Sequence, residues 1–532
     1  MPPLPTDRAA LLQRLSHDGP WDIAVVGGGA TGLGVALDAV ARGYSVVLLE
    51  GVDFAKGSSS RATKLVHGGV RYLAQGNLHL VREALHERAL LLANAPHLAQ
   101  PLPFVMPAYR WWETPFYGVG LMAYDLLAGR AGLGRTELMG RRKTLARLPG
   151  ASPDGLRGGV QYWDGQFDDA RLALALARTA AARGALLVNH CPVETLLHDD
   201  GKISGLVCRD AETGQAFTVR AGCVVNATGV WVDALRAQDS AARGQAAEAL
   251  VTPSQGVHLV VDRDFMPGAH ALLVPRTSDG RVLFAVPWLG KVVLGTTDTP
   301  RPDAAAEPRP FQSEIDFILG ESARYLRRAP TAADVRSTWV GLRPLVRPQT
   351  RHAGSAATKK ISREHTVMSG PGGLVTVTGG KWTTYRAMAE DVLQHCAAEG
   401  LIAARPAGAT ERLRLVGAPD DDAVQTALGS APGPHLYGNE AVSLHALDGA
   451  DVWLAPGLSE AMVRFAARHE YARTVEDVLA RRSRLLFLDA AAAGALGPRV
   501  AEILLEEGIV APQLDAFIAL SRQFDATAHQ SA

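Results

Sequence analysis

The segment WDIAVVGGGATGLGVALDAVARGYSVVLLE, residues 21–50, constrains the fold of this chain more than any other. Four apolar residues at 23–26 predict a buried strand, the glycines after them predict a tight turn, and the apolar spacing beyond predicts an amphipathic helix. A second apolar run at 45–49 predicts a strand that ends in Glu50. Strand, helix and strand in this order predict a βαβ unit near the N-terminus.

The turn inside this unit has the GxGxxG spacing of a dinucleotide-binding loop. Gly27 permits the tight turn, Gly29 lets a pyrophosphate approach the backbone, and Gly32 lets the helix pack on the strand. The helix N-terminus would supply amide donors to the phosphates. Glu50 stands where an acid can accept hydrogen bonds from a ribose diol. NAD and FAD are both open at this point, and a glycine-rich turn in an unrelated α/β protein is the plainer alternative.

A second apolar strand favours FAD over NAD. The segment VVNATG, residues 224–229, lies far beyond the first unit and ends in a small-residue turn that contains Ala227 and Gly229. A strand and turn of this kind are expected where a split FAD domain returns to its cofactor. The turn sequence by itself is common, so it carries weight only together with the first unit.

Length and charge bound the function. A chain of 532 residues exceeds the usual size of one domain, so two or three domains are expected. The 54 Lys and Arg residues balance the 54 Asp and Glu residues, which argues against a protein that coats nucleic acid. Any anion-binding site must therefore be local.

The cysteines and the apolar runs indicate the compartment. Cys191, Cys208, Cys223 and Cys396 are widely spaced, so buried thiols are expected, and neither a disulfide framework nor a metal site is predicted. Residues 1–20 lack the apolar run of a signal peptide, and no apolar run reaches the ~18 uncharged residues of a membrane span. The chain is expected in the cytosol, or on a membrane without crossing it.

The apolar periodicity predicts further elements. Helices are expected at residues 78–95 and at residues 168–182. Several prolines predict a less regular region after the first of these helices. They are Pro96, Pro101, Pro103 and Pro107.

Two groups of strands are expected. The first comprises ALLVNH, ISGLVCRD and AFTVRAGCVVNATG, and the second, as a separate sheet, comprises VHLVVD, RVLFAVPW and KVVLGTTD. Residues 237–249 predict a loop. Residues 405–422 predict a linker into a mostly helical C-terminal domain.

The stretch KLVHGGVRYLAQG, residues 64–76, brings a histidine, paired glycines and an arginine close together. It follows directly on GSSSRAT, whose hydroxyl side chains can contact a pyrophosphate or a flavin ring. We expect His67 to lie beside a cofactor ring, because the two glycines after it leave the backbone bare. Arg71 and Tyr72 are expected to face a substrate. A structural histidine is the plainer alternative.

Further basic side chains are candidates for binding an anion, because the planar fork of arginine matches phosphate and lysine adds a compact charge. Arg343, in GLRPL, and Lys381, after two glycines, lie in tight-turn contexts that favour a site. Arg363 lies in KKISREHTV. Arg347 is expected on the surface.

Several spaced motifs in one order now carry a resemblance. HGGVRYL, GTTD, GLRPL, SREHTV and GGKWTTYR resemble the FAD-dependent glycerol-3-phosphate dehydrogenases, flavoproteins that oxidise glycerol 3-phosphate to dihydroxyacetone phosphate. The likeness runs from about Trp21 to Arg386 and continues less specifically into residues 469–490, which are similar to the cap domain of that family. Val230 departs from the family, where Pro or Ala commonly follows ATG, and this leaves the loop geometry open.

The resemblance implies the residues of the site. Substrate contacts are expected at Arg71, Tyr72, Thr296, Arg343, Arg363 and Lys381. Cofactor contacts are expected at Gly27, Gly29, Gly32, Glu50, Ser59, Thr63, Lys64, Leu65, Ala227, Gly229, Gly380 and Thr383. His67 is expected to remove the C2 hydroxyl proton, since an imidazole exchanges protons near neutral pH. Arg343 and Arg363 would clamp the phosphate, and Arg71 and Lys381 would stabilise the developing alkoxide.

The fold class that follows is α/β, with a split Rossmann-like FAD-binding domain, a mixed-sheet substrate domain and a helical C-terminal cap. The expected boundaries are a leader at 1–20, the FAD-binding domain at 21–95, 160–250 and 336–400, the substrate domain at 96–159 and 251–335, and the cap at 401–532.

The resemblance also implies partners. Glycerol 3-phosphate is the expected substrate and membrane quinone the expected electron acceptor, so the chain would attach peripherally to the inner face of the cytoplasmic membrane. Residues 110–129, rich in aromatic residues and followed by the basic run 141–143, are a candidate contact, with a packed core segment as the alternative. The cap arginines Arg481, Arg482 and Arg484 are another, with a solvated helix face as the alternative. No nucleic acid is expected, and a homodimer is left open.

Other functions share parts of this pattern. A glycerol-3-phosphate oxidase would pass electrons to oxygen, but no long insertion of the kind some of those oxidases carry is present. An amine or amino-acid oxidase needs one arginine for a carboxylate, and the cluster of basic groups argues against it. A flavin-binding scaffold and a plain NAD dehydrogenase are the remaining alternatives.

Overall fold

The computed structural model describes residue 4 and residues 6–69, 77–347, 365–420 and 425–525. The α-helices are α1 Arg8–His17, α2 Ala30–Ala41, α3 Leu78–Asn94, α4 Glu113–Ala128, α5 Arg141–Arg147, α6 Asp169–Ala182, α7 Val232–Ala241, α8 Gln312–Tyr325, α9 Tyr385–Ala398, α10 Ala441–Leu444, α11 Glu460–His469, α12 Leu485–Leu488, α13 Ala490–Glu506 and α14 Leu514–Phe524. The strands are β1 Trp21–Val26, β2 Val46–Leu49, β3 Leu65–Val66, β4 Ala99–Ala108, β5 Glu137–Gly140, β6 Gly158–Phe167, β7 Leu186–Val188, β8 Val193–Asp199, β9 Lys202–Arg209, β10 Ala216–Asn226, β11 Val251–Asp262, β12 Ala271–Val274, β13 Leu283–Trp288, β14 Lys291–Gly295, β15 Thr299–Pro300, β16 Val335–Val346, β17 His365–Ser369, β18 Val375–Gly379, β19 Trp453–Ala455 and β20 Leu458–Ser459.

The first sheet has the strand order β17-β18-β10-β1-β2-β7, and β8 and β9 extend it from β10. Its central pairs β10–β1, β1–β2 and β2–β7 are parallel, and the crossover that a parallel pair requires is supplied between β1 and β2 by helix α2. Helix α2 packs against β1 and lies between α6 and α9. The predicted βαβ unit is confirmed, because β1, α2 and β2 occupy its three positions.

The second sheet is mixed and has the order β15-β11-β14-β13-β12-β4-β6-β3, with β16 beside β11 and β5 beside β6. The three alternating segments predicted as a separate sheet form β11, β13 and β14. Strand β3 lies at one end and pairs with β6, so the chain passes directly from the first βαβ unit into the second sheet.

Residues 96–107 were expected to be irregular, and this expectation is wrong. Strand β4 pairs with β6 along its whole length. The carbonyl of Leu98 accepts a hydrogen bond of 2.9 Å from the N–H of Asp168. Because backbone groups alternate along a strand, the N–H and C=O groups of the even-numbered residues of β4 point toward β6. Pro101, Pro103 and Pro107 are odd-numbered and face the other edge, where a missing N–H disrupts no pairing with β6.

Two smaller boundaries also differ from the sequence expectation. The predicted loop at 237–249 begins later, because α7 continues to Ala241. Strand β16 hydrogen-bonds to β11 in the second sheet, although residues from 336 onward were assigned to the FAD-binding part. The predicted helices at 78–95 and 168–182 are confirmed as α3 and α6. The domain boundaries stay a prediction.

The C-terminal helices share a core with the second sheet. Phe465 of α11 and Phe487 of α12 lie in the same buried apolar cluster as Trp288 of β13 and Trp339 of β16. Phe487 meets Trp339 edge to face at 5.2 Å. The C-terminal part is therefore packed onto the sheet that carries the candidate substrate residues.

The cap arginines contradict their predicted surface position. Arg481, Arg482 and Arg484 are all buried, and Arg481 and Arg482 both bind the carboxylate of Asp53. Neither a solvated helix face nor a membrane contact can be built from buried side chains. The four cysteines are buried thiols, as expected. Within the described ranges, no helix combines the length and the apolarity that crossing a bilayer requires.

Candidate cofactor and substrate site

The glycine turn between β1 and α2 leaves no room for a side chain at Gly27, Gly28 or Gly32. Gly27 has φ of +108°, and a Cβ there would lie 2.6 Å from the carbonyl oxygen of Ala227. A Cβ on Gly32 would collide with the carbonyl oxygen of Gly27. Among the described residues, only the hydroxyl of Ser59 lies close to a Cβ built on Gly29, at 3.1 Å. The turn is closed against β10 and open above Gly29, as close approach of a pyrophosphate requires.

The carboxylate of Glu50 is fixed beside this turn. Its Oε2 accepts a hydrogen bond of 2.6 Å from the N–H of Gly28, and its Oε1 accepts one of 2.9 Å from the N–H of Val52. Burial raises the pKa of Glu50, and these two amides oppose the rise. A carboxylate oxygen can accept more than one hydrogen bond, so the group fits a ribose hydroxyl as well.

The turn after β10 lies against the glycine turn. Gly229 has φ of +63°, and its carbonyl accepts a hydrogen bond of 3.2 Å from Thr378 Oγ1. The loop geometry left open by Val230 is a 3₁₀ turn at Gly229–Trp231, in which the Val230 side chain is buried. The substitution is accommodated inside the fold.

Residues 57–66, here named the hydroxyl loop, connect the two sheets at this point. Ser59 Oγ accepts a hydrogen bond of 2.9 Å from the N–H of Ala30, the first residue of α2. Ser58 Oγ donates to the carbonyl of Leu342 in β16. Thr63 Oγ1 is hydrogen-bonded to His258 Nε2 of β11 at 2.9 Å. The loop therefore ties the glycine turn to β11 and to β16, the strand that carries Arg343.

His67 follows the hydroxyl loop and is partly exposed. The N–H of Gly68 donates to Asp164 Oδ1 at 3.1 Å, and Arg88 Nη1 donates to the same oxygen at 2.8 Å. A Cβ on Gly68 would lie 2.5 Å from Leu85 Cδ2 and would also collide with the hydroxyl of Tyr124. A buried ion pair and two helices thus hold the backbone beside His67 in one position.

The turn that carries Lys381 meets both of these segments. Gly379 and Gly380 have φ of +81° and +72°. Trp382 Nε1 donates to the carbonyl of Ser59 at 2.8 Å, and Thr383 Oγ1 donates to the carbonyl of His67 at 3.4 Å. The structure therefore brings Lys381 next to the hydroxyl loop and His67.

Arg343 lies in β16 with its side chain 28% exposed. Its Nη2 donates to Thr296 Oγ1 at 3.3 Å, and its Nη1 lies 3.3 Å from Asp298 Oδ1, which accepts a hydrogen bond of 2.5 Å from Ser254 Oγ. A Cβ on Gly256 would lie 2.7 Å from Thr296 Oγ1 and 2.9 Å from Arg343 Cζ. The guanidinium is held at the edge of solvent, which suits a site for a phosphate.

Some predicted residues are not part of the site as the structure describes it. Arg71, Tyr72 and Arg363 lie outside the described residues. The ammonium of Lys64 faces inward, where it binds Asp169 at 2.7 and 2.9 Å, so only its backbone is left for a cofactor. Leu65 is buried in β3. Arg347 is exposed and donates to Thr252 Oγ1, which confirms its expected surface position.

Several residues of the site were missed. His258 is buried, stacks on Trp339 at 5.3 Å, and burial lowers its pKa well below the ordinary value, with Lys64 and Arg343 adding to the shift. Asp298 and Gly256 position Arg343. The only sequence signal for Asp298 was its place in GTTD, and Gly256 and His258 stood in the predicted strand without an assigned role.

Comparison with known proteins relates this geometry to a family. Residues 22–386 match the family described as FAD dependent oxidoreductase, and residues 409–508 match the C-terminal domain of alpha-glycerophosphate oxidase. The mitochondrial glycerol-3-phosphate dehydrogenase of Homo sapiens is 42% identical over 542 residues, which cover 94% of this chain and 72% of that protein. The chain belongs to the FAD-dependent glycerol-3-phosphate dehydrogenase family.

Other relatives agree with this assignment. The mitochondrial glycerol-3-phosphate dehydrogenase of Arabidopsis thaliana is 40% identical, over 95% of this chain and 86% of that protein. The structure of glycerol-3-phosphate dehydrogenase from Bacillus halodurans complexed with FAD has a TM-score of 0.76 at 29% identity, covering 97% of both chains. L-alpha-glycerophosphate oxidase from Mycoplasma pneumoniae, at 16% identity and a TM-score of 0.55, shares the fold.

The family membership confirms the predicted resemblance, the α/β fold class and the predicted cofactor FAD. The chain is an FAD-dependent oxidoreductase. Its own residues fit that cofactor, since the glycine turn is open above Gly29 and the Glu50 carboxylate is fixed at the end of β2. The individual contacts predicted for FAD stay predictions.

We expect Gly32→Ala to lower the FAD content of the purified protein at least about tenfold, because the added Cβ overlaps the carbonyl of Gly27 and forces α2 away from β1. The ratio of flavin to protein absorbance measures this. Gly320→Ala is the control, since Gly320 lies on α8 with open space around it and alanine favours a helix. Full FAD occupancy in Gly32→Ala would contradict the role given to the turn.

Proposed function

We propose that the chain oxidises sn-glycerol 3-phosphate to dihydroxyacetone phosphate and passes the electrons to a membrane quinone. The names of its relatives support the substrate, because the Homo sapiens and Arabidopsis thaliana proteins, at 42% and 40% identity, are both glycerol-3-phosphate dehydrogenases. The observation that carries the proposal is the arrangement around Arg343. A partly exposed guanidinium, held by Thr296 and Asp298, lies one residue from Leu342, which the hydroxyl loop contacts.

In the proposed reaction, different side chains bind the phosphate, accept the proton and stabilise the developing charge. Arg343, with Arg363, binds the phosphate and so orients C2 of the substrate. His67 accepts the proton of the C2 hydroxyl as the carbon–oxygen double bond forms. Lys381 and Arg71 stabilise negative charge on that oxygen, and Tyr72 and Thr296 complete the substrate contacts. Bound FAD supplies the acceptor for the hydride that leaves C2.

Gly256→Ala tests the phosphate clamp without removing a charge. The added Cβ would displace Arg343 and Thr296, so we expect KM for glycerol 3-phosphate to rise about tenfold, the effect of weakening one or two hydrogen bonds to a charged group. Steady-state kinetics with an artificial electron acceptor measures KM and kcat. Gly320→Ala again serves as the control. An unchanged KM would exclude Arg343 from the phosphate site.

His67→Asn tests both the activity and the base. Anaerobic glycerol 3-phosphate should bleach the flavin band of the wild-type protein, and the variant should do so about 10²- to 10⁴-fold more slowly with little change in substrate binding. Stopped-flow absorbance separates the two effects. His86→Asn, an exposed change on α3, is the control. No bleaching in the wild type would refute the proposed function, and an equal rate in His67→Asn would remove only the base.

The proposed membrane contact is supported by helix α4. Phe116, Val119 and Leu126 are 66%, 71% and 83% exposed, and Trp111 just before the helix is 78% exposed. The opposite face, with Gly118, Leu121, Tyr124 and Ala128, is buried. The alternative prediction, that residues 110–129 form a packed core segment, therefore holds only for the buried face of α4. An apolar face of this size on one helix is typical of a surface that lies in the interface of a bilayer.

The charges around this face favour an anionic bilayer. Residues 110–147 contain seven basic and three acidic side chains, a net charge of +4 in a chain whose total is zero. Arg141, Arg142 and Lys143 of α5 are exposed. Leu138 of β5, also exposed, approaches α4 at Gly118 and lies three residues before Arg141, so an exposed apolar side chain accompanies these basic residues. Such a surface is attracted to acidic headgroups.

We expect the triple variant Phe116→Ser, Val119→Ser and Leu126→Ser to bind vesicles containing anionic lipid at least about tenfold more weakly, because each side chain contributes roughly 1.5–3 kcal/mol when buried. Co-sedimentation measures the affinity. The matched control is Val442→Ser, Val452→Ser and Val510→Ser, which removes exposed apolar side chains elsewhere. Equal binding by both triple variants would contradict the proposed surface.

The same vesicles identify the electron acceptor. With quinone in the bilayer and glycerol 3-phosphate present, the wild-type protein should reduce quinone without forming peroxide. Peroxide in equal amount to the substrate consumed would assign oxygen as the acceptor.

A further inference from the structure

The inner side of the hydroxyl loop is held by a buried set of charges. The carbonyl of Ser60 accepts hydrogen bonds from Lys64 Nζ at 2.8 Å and from Arg484 Nη2 at 2.7 Å. Asp169 Oδ1 accepts from Lys64 Nζ at 2.9 Å and from Arg484 Nη2 at 3.1 Å. The N–H of Ala62 donates to Asp169 Oδ2 at 3.0 Å. One side chain from the C-terminal part thus contacts both the loop and the carboxylate that binds it.

We propose that Arg484 is a positioning residue for FAD, and that it acts by holding the hydroxyl loop in its cofactor-binding conformation through Ser60 and Asp169. This gives the C-terminal part a role in the flavin site, although its sequence lies more than four hundred residues beyond that loop. The inference concerns FAD binding alone and does not depend on the substrate proposed above.

Backbone conformation supports the proposal at both ends of the contact. Arg484 has φ of +65° and, together with Ser483, connects the π-helical segment Asp477–Arg482 to α12. Lys64 has φ of +66°. The left-handed region is unfavourable for a residue with a side chain, and such residues persist only where surrounding contacts hold them. Both residues direct their charge to the same carboxylate.

The surroundings allow very little alternative geometry. Arg484 and Lys64 are both completely buried. The guanidinium lies over Phe487 at 4.2 Å and Trp288 at 5.3 Å, and the ammonium lies over Trp288 at 4.9 Å and Trp339 at 5.2 Å. Aromatic faces attract these cations without offering them another hydrogen-bond acceptor. The partners that fix their positions are therefore the Ser60 carbonyl, the aspartates and, for Arg484, the carbonyl of Ala480, which accepts a hydrogen bond of 2.7 Å from Nη1.

The charge balance indicates that this network selects a conformation more than it adds stability. Arg484 and Lys64 face two carboxylates, Asp169 and Asp168, with Arg484 Nε 3.5 Å from Asp168 Oδ1. Burial lowers the pKa of Lys64 to about 7, Asp169 opposes the shift and Arg484 adds to it. Desolvating buried ion pairs can cost as much as their attraction returns, whereas their geometry admits few arrangements.

The experiment measures FAD binding to the apoprotein, with no substrate present. Arg484→Met should raise the dissociation constant for FAD at least about tenfold, the effect of losing one hydrogen bond to a charged group. Arg484→Lys should recover part of the affinity, since an ammonium can still donate to Ser60 or Asp169. Arg499→Met is the matched control, because Arg499 of α13 is ion-paired with Glu460 far from the loop. Quenching of flavin fluorescence gives each dissociation constant, and the visible spectrum of bound FAD reports its surroundings.

A second variant separates positioning from loss of stability. Arg484→Met with Asp168→Asn removes one cation and one carboxylate, so the buried charge stays balanced, and asparagine caps α6 as well as aspartate does. We expect its apoprotein to melt close to the wild type while its FAD affinity stays low. The proposal is overturned if the double variant binds FAD within about threefold of wild type, the scatter of a surface substitution. It is also overturned if Arg484→Met itself binds FAD normally.

Discussion

The hydroxyl loop is the constraint on which the site depends. It lies between β2 of the first sheet and β3, an end strand of the second sheet, so it is one of the covalent links between the two sheets. Ser59 binds the N-terminus of α2, and Ser58 binds Leu342 beside Arg343. A change in the angle between the sheets would move the glycine turn relative to Arg343, and these hydrogen bonds oppose it. Cofactor turn and candidate phosphate site therefore keep one relative position.

Electrostatics in this protein is local. The chain carries no net charge, yet individual charged side chains have distinct positions. Lys64 with Asp169 and Arg88 with Asp164 are buried ion pairs that hold the backbone in place. The side chain of Arg343, in contrast, reaches solvent. In a buried ion pair each charge is neutralised by its partner, so neither charge is available to bind a ligand. Composition could exclude a nucleic-acid coat, but it could not indicate which arginine faces a phosphate.

The sequence predicted those features that depend on neighbours along the chain. The βαβ unit and the glycine turn follow from local spacing, and both are present. The prolines of β4 led to a wrong prediction. Whether a strand can contain proline depends on which of its edges hydrogen-bonds to the neighbouring strand, here β6, and this is a property of the sheet and not of the local sequence. The roles of Asp164, Asp169 and Arg484 in holding these loops were missed for the same reason, since each acts on a loop about a hundred residues or more away and no local pattern marks that role.

Helix α4 joins the proposed membrane surface to the candidate base. Its exposed face carries Phe116 and Leu126, while Tyr124 on its buried face lies against Gly68, the residue after His67. Arg88 donates to the hydroxyl of Tyr124 at 3.3 Å and to Asp164, which binds the N–H of Gly68. If the outer face of α4 lies in a bilayer, any shift of the helix there must be resisted or transmitted by this buried network, because cores repack in discrete steps and do not deform smoothly. Under the proposed membrane attachment, helix α4 would therefore couple the bilayer contact to the geometry at His67.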